Sequence, residues 1–151
     1  MEQTSQELDR LVRKYVYDTA MYRGYPPFLA ETSTALSIPL PDVQAAFQRL
    51  ADGHILVLQP ENGEILMANP FSAVPTPFLV ELEAFTCYGN CIWDALGIPA
   101  LLAQDARIKT ACGDCGTALG LSVVNGQVHG DSGVIHFALP ARRWWEDIVF
   151  N

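Results

Sequence analysis

Leu8, Leu11, Val12, Tyr15, Val16 and Thr19 recur at the three-to-four-residue spacing of one helical face, which predicts a helix over residues 5–22, ended by the Gly24 to Pro27 turn. A shorter helix is expected over about Ala30 to Leu36. A third runs from Pro41 to Ala51, where Pro41 suits a first turn and Val43, Ala46, Phe47 and Leu50 make the buried face. The period then shortens to that of a strand. HILVLQ and EILMAN flank Pro60-Glu61-Asn62-Gly63, the signature of a β-hairpin with an Asn-Gly turn. Residues 68–78, ANPFSAVPTPF, hold three prolines and little periodicity, and read as an extended connector. Beyond it, Asn90 suits the cap of a helix from Cys91 to about Leu102, interrupted by Pro99. RIKTA, ALGLSVV and VIHFALP alternate as the strands of a small sheet, with a turn at Asn125-Gly126. The closing ARRWWEDIVF fits either the start of a helix or an edge strand.

Three helices followed by a hairpin is the winged-helix arrangement, which elsewhere reads DNA with its third helix. The third helix here, PDVQAAFQRLAD, offers one Arg and two Asp, so the expectation is a structural or substrate-covering role. The pattern divides the chain into a helical unit at 1–67, a proline-rich connector at 68–80 and a mixed unit at 81–151.

Charge sharpens this picture. Residues 1–80 carry five Lys/Arg against nine Asp/Glu, and residues 81–151 carry four against eight, so neither half attracts a phosphate backbone and no nucleic-acid partner is expected. No run approaches the ~18 apolar residues that would span a bilayer, and the polar start MEQTSQELDR lacks the apolar stretch of a secretion signal. The expected location is the cytoplasm, without a membrane partner.

All four cysteines, Cys87, Cys91, Cys112 and Cys115, fall within 29 residues, a clustering that in a reducing compartment speaks for metal or thiol chemistry. Cys91 and Asp94 lie three apart on the predicted helix and share a face. On spacing alone the pair is also compatible with a small buried hydrophobe beside a solvated carboxylate. Placement in the first helical turn favours chemistry, because the helix dipole and free N–H groups there are expected to lower the thiol pKa. Cys112 and Cys115 form C-G-D-C-G, a metal-knuckle-like turn. With Cys87 and Cys91 the spacing, C-x₃-C, twenty residues, C-x₂-C, also suits a tetrahedral Cys₄ structural zinc site. His54, His129 and His136 are scattered and read as surface or core histidines, and Trp144 and Trp145 read as packing anchors.

The run NCIWDALGIPALL, residues 90–102, followed by CGDCG and WWEDIVF, resembles the alkylmercury lyase family, in particular its shorter relatives with a helical N-terminal unit and an ANPFSAVPTPF-like connector. The likeness runs over nearly the whole chain. A Cys-x-x-Asp-Ala-Leu at the head of a helix is where that family keeps one catalytic cysteine and its acid, which puts those roles on Cys91 and Asp94. The implied fold is α+β: a winged-helix-like three-helix unit with a β-hairpin, then a small mixed α/β alkylmercury-lyase-like domain, C-terminally incomplete over 81–151.

The resemblance implies protonolysis of a carbon–mercury bond in a small organomercurial, giving a hydrocarbon and Hg(II), with no cofactor required. Cys91 would be a thiolate ligand to R–Hg⁺. Asp94, its pKa raised in a dry pocket, would take the thiol proton, deliver it to carbon and stay as an oxygen ligand to Hg(II), which a thiol partner would then receive. Cys112 matches a family cysteine regarded as structural, and Cys115 is shared with CxxCG relatives. The family's second catalytic cysteine is expected just after WWEDIVF, past Asn151, as cysteine or selenocysteine. The alternatives are recruitment of Cys112, Cys115 or Cys87 in its place, or a non-catalytic Cys-rich protein that binds zinc or mercury, including a metal-responsive winged-helix regulator.

Overall fold

A computed structural model of the protein describes residues 4–130 and 133–149. Phe150, at the end of the WWEDIVF segment, and the cysteine expected past Asn151 lie outside the described residues.

Helix α1 spans Ser5–Arg23, α2 Leu29–Leu36 and α3 Leu40–Asp52. Thr4 opens α1 with a capping box: its hydroxyl accepts from the Glu7 amide, and Glu7 accepts from the Thr4 amide. Gly24 closes the helix at φ 91, a left-handed turn that glycine adopts without strain. The buried stripe of α1 is Val12, Val16 and Ala20, and Leu11 faces out; the stripe is rotated slightly from the one the spacing predicts. In α3, Val43, Ala46, Phe47 and Leu50 are all buried, as expected. The hairpin is also present. Strands β1 (Val57–Leu58) and β2 (Ile65–Ala68) are antiparallel around a turn in which Asn62 Oδ1 accepts from the Glu64 amide and Gly63 takes φ 71.

The proline-rich stretch is more structured than an extended connector. Phe71–Ser72 forms β3 against β2, and Phe71 is fully buried; Leu79–Glu81 forms β4. A five-stranded antiparallel sheet follows in the order β5-β4-β6-β7-β8, where β5 is Thr86–Tyr88, β6 Ala106–Ala111, β7 Ala118–Val124 and β8 Gln127–Gly130. Helix α4 (Ile92–Leu102) packs Ala95 and Ile98 onto this sheet against Val80 and Ile108. It runs through Pro99 without the expected interruption. RIKTA and ALGLSVV are strands as expected, and Asn125 and Gly126 turn between β7 and β8 at φ 50 and 73. VIHFALP is not a strand. Its residues join no strand among the described residues, bend at Ala138 and Leu139, and bring Phe137 against Trp144, with ring centroids 4.9 Å apart. The closing segment resolves as a 3₁₀ helix, Ala141–Glu146, followed by a turn. No helix among the described residues is long and apolar enough to cross a membrane.

Two apolar clusters result, one of α1–α3 with the first hairpin, one of the second sheet with α4. Ala20 of α1 and Phe71 of β3 belong to the second cluster, so the halves share side chains. The two sheets meet at a bridge between Phe71 and Gly89. A Cβ built on Gly89 would lie 2.6 Å from the Ala95 amide nitrogen and 2.9 Å from its Cα, both backbone atoms that cannot swing aside. Gly89→Ala should therefore cost ~1–3 kcal/mol by forcing α4 off the sheet. Gly97→Ala, in the same helix with nothing within 4 Å, should be neutral or gain up to ~1 kcal/mol from helix propensity. Urea unfolding midpoints of the two variants check the contrast, and equal midpoints would show that the close approach is not limiting.

Candidate active site

The chain leaves β5 at Tyr88 and enters α4 within three residues. Gly89 is clamped by its amide donating to Phe78 O (3.0 Å) and its carbonyl accepting from Thr76 Oγ1 (2.6 Å). The helix start then falls one residue later than the sequence predicts: Cys91 itself, extended at φ −146, is the N-cap, and its carbonyl accepts from the Ala95 amide at 2.9 Å. Asn90, displaced from the capping role, reaches sideways. Its Nδ2 donates to Asp94 Oδ2 at 3.0 Å and to Asn69 Oδ1 at 2.9 Å. Its own Oδ1 is buried without a partner, an arrangement that costs free energy and is uncommon away from functional sites.

Cys91, Asp94, Asn90 and Asn69 line one side of a cavity of about 480 Å³. The rest of the wall is apolar: Met67 and Phe78, then Trp93, and across from them Phe137, Trp144, Trp145, Ile148 and Val149 of the closing segment. That segment is held at two points. Trp144 Nε1 donates to Leu139 O at 2.9 Å, and Trp145 stacks flat on His54, just past α3, with centroids 4.2 Å apart. Trp144 and Trp145, read from sequence as packing anchors, thus line the cavity, and His54 stacks on Trp145. A larger, more open groove of about 620 Å³ along α1, lined by residues such as Arg13 and Asp18, contains no thiol.

Burial sets the protonation of the pair. The Cys91 thiol is pushed up, first by desolvation and further by the nearby Asp94 charge; the Asp94 and Trp93 amides pull the other way without making a full capping bond to sulfur. This corrects the expectation that the helix start lowers this pKa: the dipole is present, but desolvation outweighs it. The Asp94 carboxyl is raised by burial, as expected, against the opposing hydrogen bonds from Asn90. Cys87 is a core thiol, raised by burial to about 12.

Cys112 and Cys115 do not reach the cavity. They sit on the turn between β6 and β7, where Cys112 N donates to Thr117 O and Gly116 N to Cys112 O, both at 2.9 Å. Cys115 is exposed, its sulfur 3.1 Å from Thr117 Oγ1, and that hydroxyl leads the groups that lower its pKa. The four cysteines are all free and do not converge; among the described residues no three His, Cys, Asp or Glu side chains are grouped to hold a metal, so the Cys₄ arrangement is not assembled. Register explains why. Cys87 pairs across the sheet with Val80 and thence Ile108, whereas Cys112 lies four residues further along β6, ~13 Å away along the strand. Asn69, Asn90, Met67 and His54 were not identified from the sequence. Asn90 alone carried a signal, its place beside Cys91.

Comparison with known proteins gives this site its context. The alkylmercury lyase family profile matches residues 71–150, just over half of the chain and the whole Cys91–Asp94 region, and the chain belongs to that family. In fold it is similar to the crystal structure of the mercury-bound form of MerB2, with 21% identity and a TM-score of 0.62 over 82% of this chain. The chain spans 58% of that protein's length. No curated protein matches.

The raised Asp94 pKa has a direct thermodynamic consequence. A carboxyl whose folded pKa exceeds its unfolded value stabilises the fold while protonated, and that contribution is lost as pH rises through the folded pKa. Asp94→Asn, which still accepts from Asn90, should thus be more stable than the parent at neutral pH, with the advantage shrinking as pH falls through the raised folded pKa toward the ordinary carboxylate value near 4. Thermal midpoints at several pH values test this; a pH-independent difference would remove the buried carboxyl as its cause.

Proposed function

We propose that this chain is an organomercurial lyase in which Cys91 captures R–Hg⁺ and Asp94 carries the proton that releases the hydrocarbon. The observation that carries the reading is the convergence of a thiol and a carboxyl, both inclined by burial to keep their protons, on one largely apolar cavity.

The steps follow from this arrangement. Sulfur binds the soft metal of R–Hg⁺ and gives up its proton, which the Asp94 carboxylate accepts, so a thiol that burial keeps protonated reacts without an external base. A second thiolate then adds to mercury and pushes electron density onto carbon. The Hg–C pair of electrons leaves with carbon and takes the proton of the Asp94 carboxylic acid, giving R–H and Hg(II) held by sulfur with the Asp94 carboxylate as oxygen ligand. The Trp144–Val149 segment adds apolar wall to the cavity, which suits an apolar R group. Cys91 is the one thiol among the described residues lining the cavity, so the second thiolate is supplied from elsewhere. A monothiol in solution serves that purpose in an assay. The reading requires no nucleic acid: Arg49, the single arginine of α3, is held by Asp9 in a bidentate pair at 2.7 and 2.9 Å.

Incubated with an arylmercurial and a monothiol, the protein should release the arene, measured by gas chromatography. Cys91→Ser should neither bind the mercurial nor release arene, whereas Asp94→Asn should retain the bound organomercurial and lose release by ~10²–10⁴-fold. Arene release by Cys91→Ser at the parent rate would end the assignment. Asn90→Ala removes the hydrogen bond that holds the Asp94 pKa down. Since Asp94 must start as the carboxylate, the rising limb of kcat/KM against pH should move to higher pH in this variant. An unmoved limb would leave Asn90 a purely structural residue.

A further inference from the structure

The C-G-D-C-G turn takes no part in the chemistry just described, and its placement indicates a purpose of its own. Both sulfurs sit at the tip of the β6–β7 hairpin, Cys115 exposed and Cys112 half-buried, so a solute reaches them without any opening of the fold. The turn is shaped by backbone bonds, Cys112 N to Thr117 O and Gly116 N to Cys112 O, that use neither sulfur. Gly116 supplies the left-handed step at φ 72, and neither it nor Gly113 has anything within 4 Å of the Cβ position, so the loop has room to adjust its two sulfurs around an ion. The Thr117 hydroxyl, 3.1 Å from Cys115 Sγ, gives that sulfur a polar neighbour.

The number of donors decides what such a site takes. Zinc requires four ligands in a structural site, or three and a water. Here there are two, with no third His, Cys, Asp or Glu grouped with them among the described residues, and Cys87 is locked in the core. Two thiolates fully satisfy a soft cation that prefers linear two-coordination. We propose that Cys112 and Cys115 form a second, surface site for a thiophilic cation of this kind, and that Hg(II) is its ligand. Binding is ligand exchange with no redox change: two Hg–S bonds form as the two ligands the ion arrived with leave, and those ligands take up the two protons that the Cys112 and Cys115 thiols release. Only the source of the ion rests on the lyase reading: the cavity offers Hg(II) one thiolate and a carboxylate, whereas the turn offers two thiolates, so the ion released by cleavage is drawn outward to the turn.

The test uses the full chain carrying Cys91→Ser, reduced and metal-free, so that the cavity wall contributes no thiol. Titrated with Hg(II) under excess 2-mercaptoethanol and then gel-filtered, it should retain about one Hg(II) per chain. Adding Cys112→Ser or Cys115→Ser should weaken retention at least about tenfold, because the intramolecular second ligand is lost. Both residues lie on an exposed turn, and unchanged circular dichroism establishes that the variants are folded. Retention unaffected by these substitutions, no retention by Cys91→Ser, or zinc held at one equivalent against the same competitor would each overturn the proposal. In the otherwise unaltered chain, Cys115→Ser should still release arene in a single turnover; loss of that turnover would make the turn part of the cleavage machinery and refute a separate site. Hg(II) held at the turn by a chain that never releases arene would refute the lyase reading and leave this one standing.

Discussion

The site depends on one close approach, the backbone of Gly89 against the backbone of Ala95. Because no Cβ intervenes, β5 can turn into α4 within three residues, and the same glycine bridges to Phe71 of the first sheet and is clamped by Thr76 and Phe78. Those contacts set the direction in which Asn90, Cys91 and Asp94 project. A longer or looser passage would free Cys91 from the N-cap and separate it from Asp94. The tightness of the turn is thus the condition for the chemistry.

Given that placement, the protonation states follow from a contest between two effects of known size. A helix N-terminus favours an anion by ~0.3–1 kcal/mol when exposed and by up to ~2 kcal/mol in favourable partly buried geometry. One pKa unit corresponds to about 1.4 kcal/mol, and desolvation alone moves fully buried groups by up to ~3–5 units. For Cys91 the second effect wins, and both members of the pair are pushed up. In the proposed reaction, that outcome supplies the proton that carbon takes. A thiol already ionised by the dipole would bind mercury readily but would bring no proton to the carboxyl beside it.

How far the sequence could be read tracks how local the determining forces are. α1 to α3 and the Asn62-Gly63 hairpin were legible because amphipathic period and turn chemistry act within a few residues. Strands β3, β4 and β5 have two or three residues each, too few to show a period, and they form because Phe71, Val80 and Cys87 complete a distant core. VIHFALP alternates like a strand yet pairs with nothing, since Phe137 gains more by meeting Trp144 at the cavity. For the site, the placement of Cys91 and Asp94 side by side was legible from their spacing. The direction of the Cys91 shift was not, because the desolvation that sets it depends on how the folded chain surrounds the thiol and not on its sequence neighbours.

The cavity also explains why the N-terminal half belongs to the functional unit although the family profile begins only at Phe71. Asn69 lies outside that match, yet its side-chain oxygen takes one of the two Asn90 Nδ2 hydrogens and so fixes the amide that steadies Asp94. Met67 contributes to the wall, and His54 supports Trp145 from below. The fold likeness, by contrast, extends over 82% of the chain and so necessarily takes in part of the helical unit. The helical unit is acidic, and its one third-helix arginine is bound to Asp9. Without the N-terminal half, Asn90 would lose its Asn69 partner, Trp145 its His54 stack and the cavity its Met67 wall.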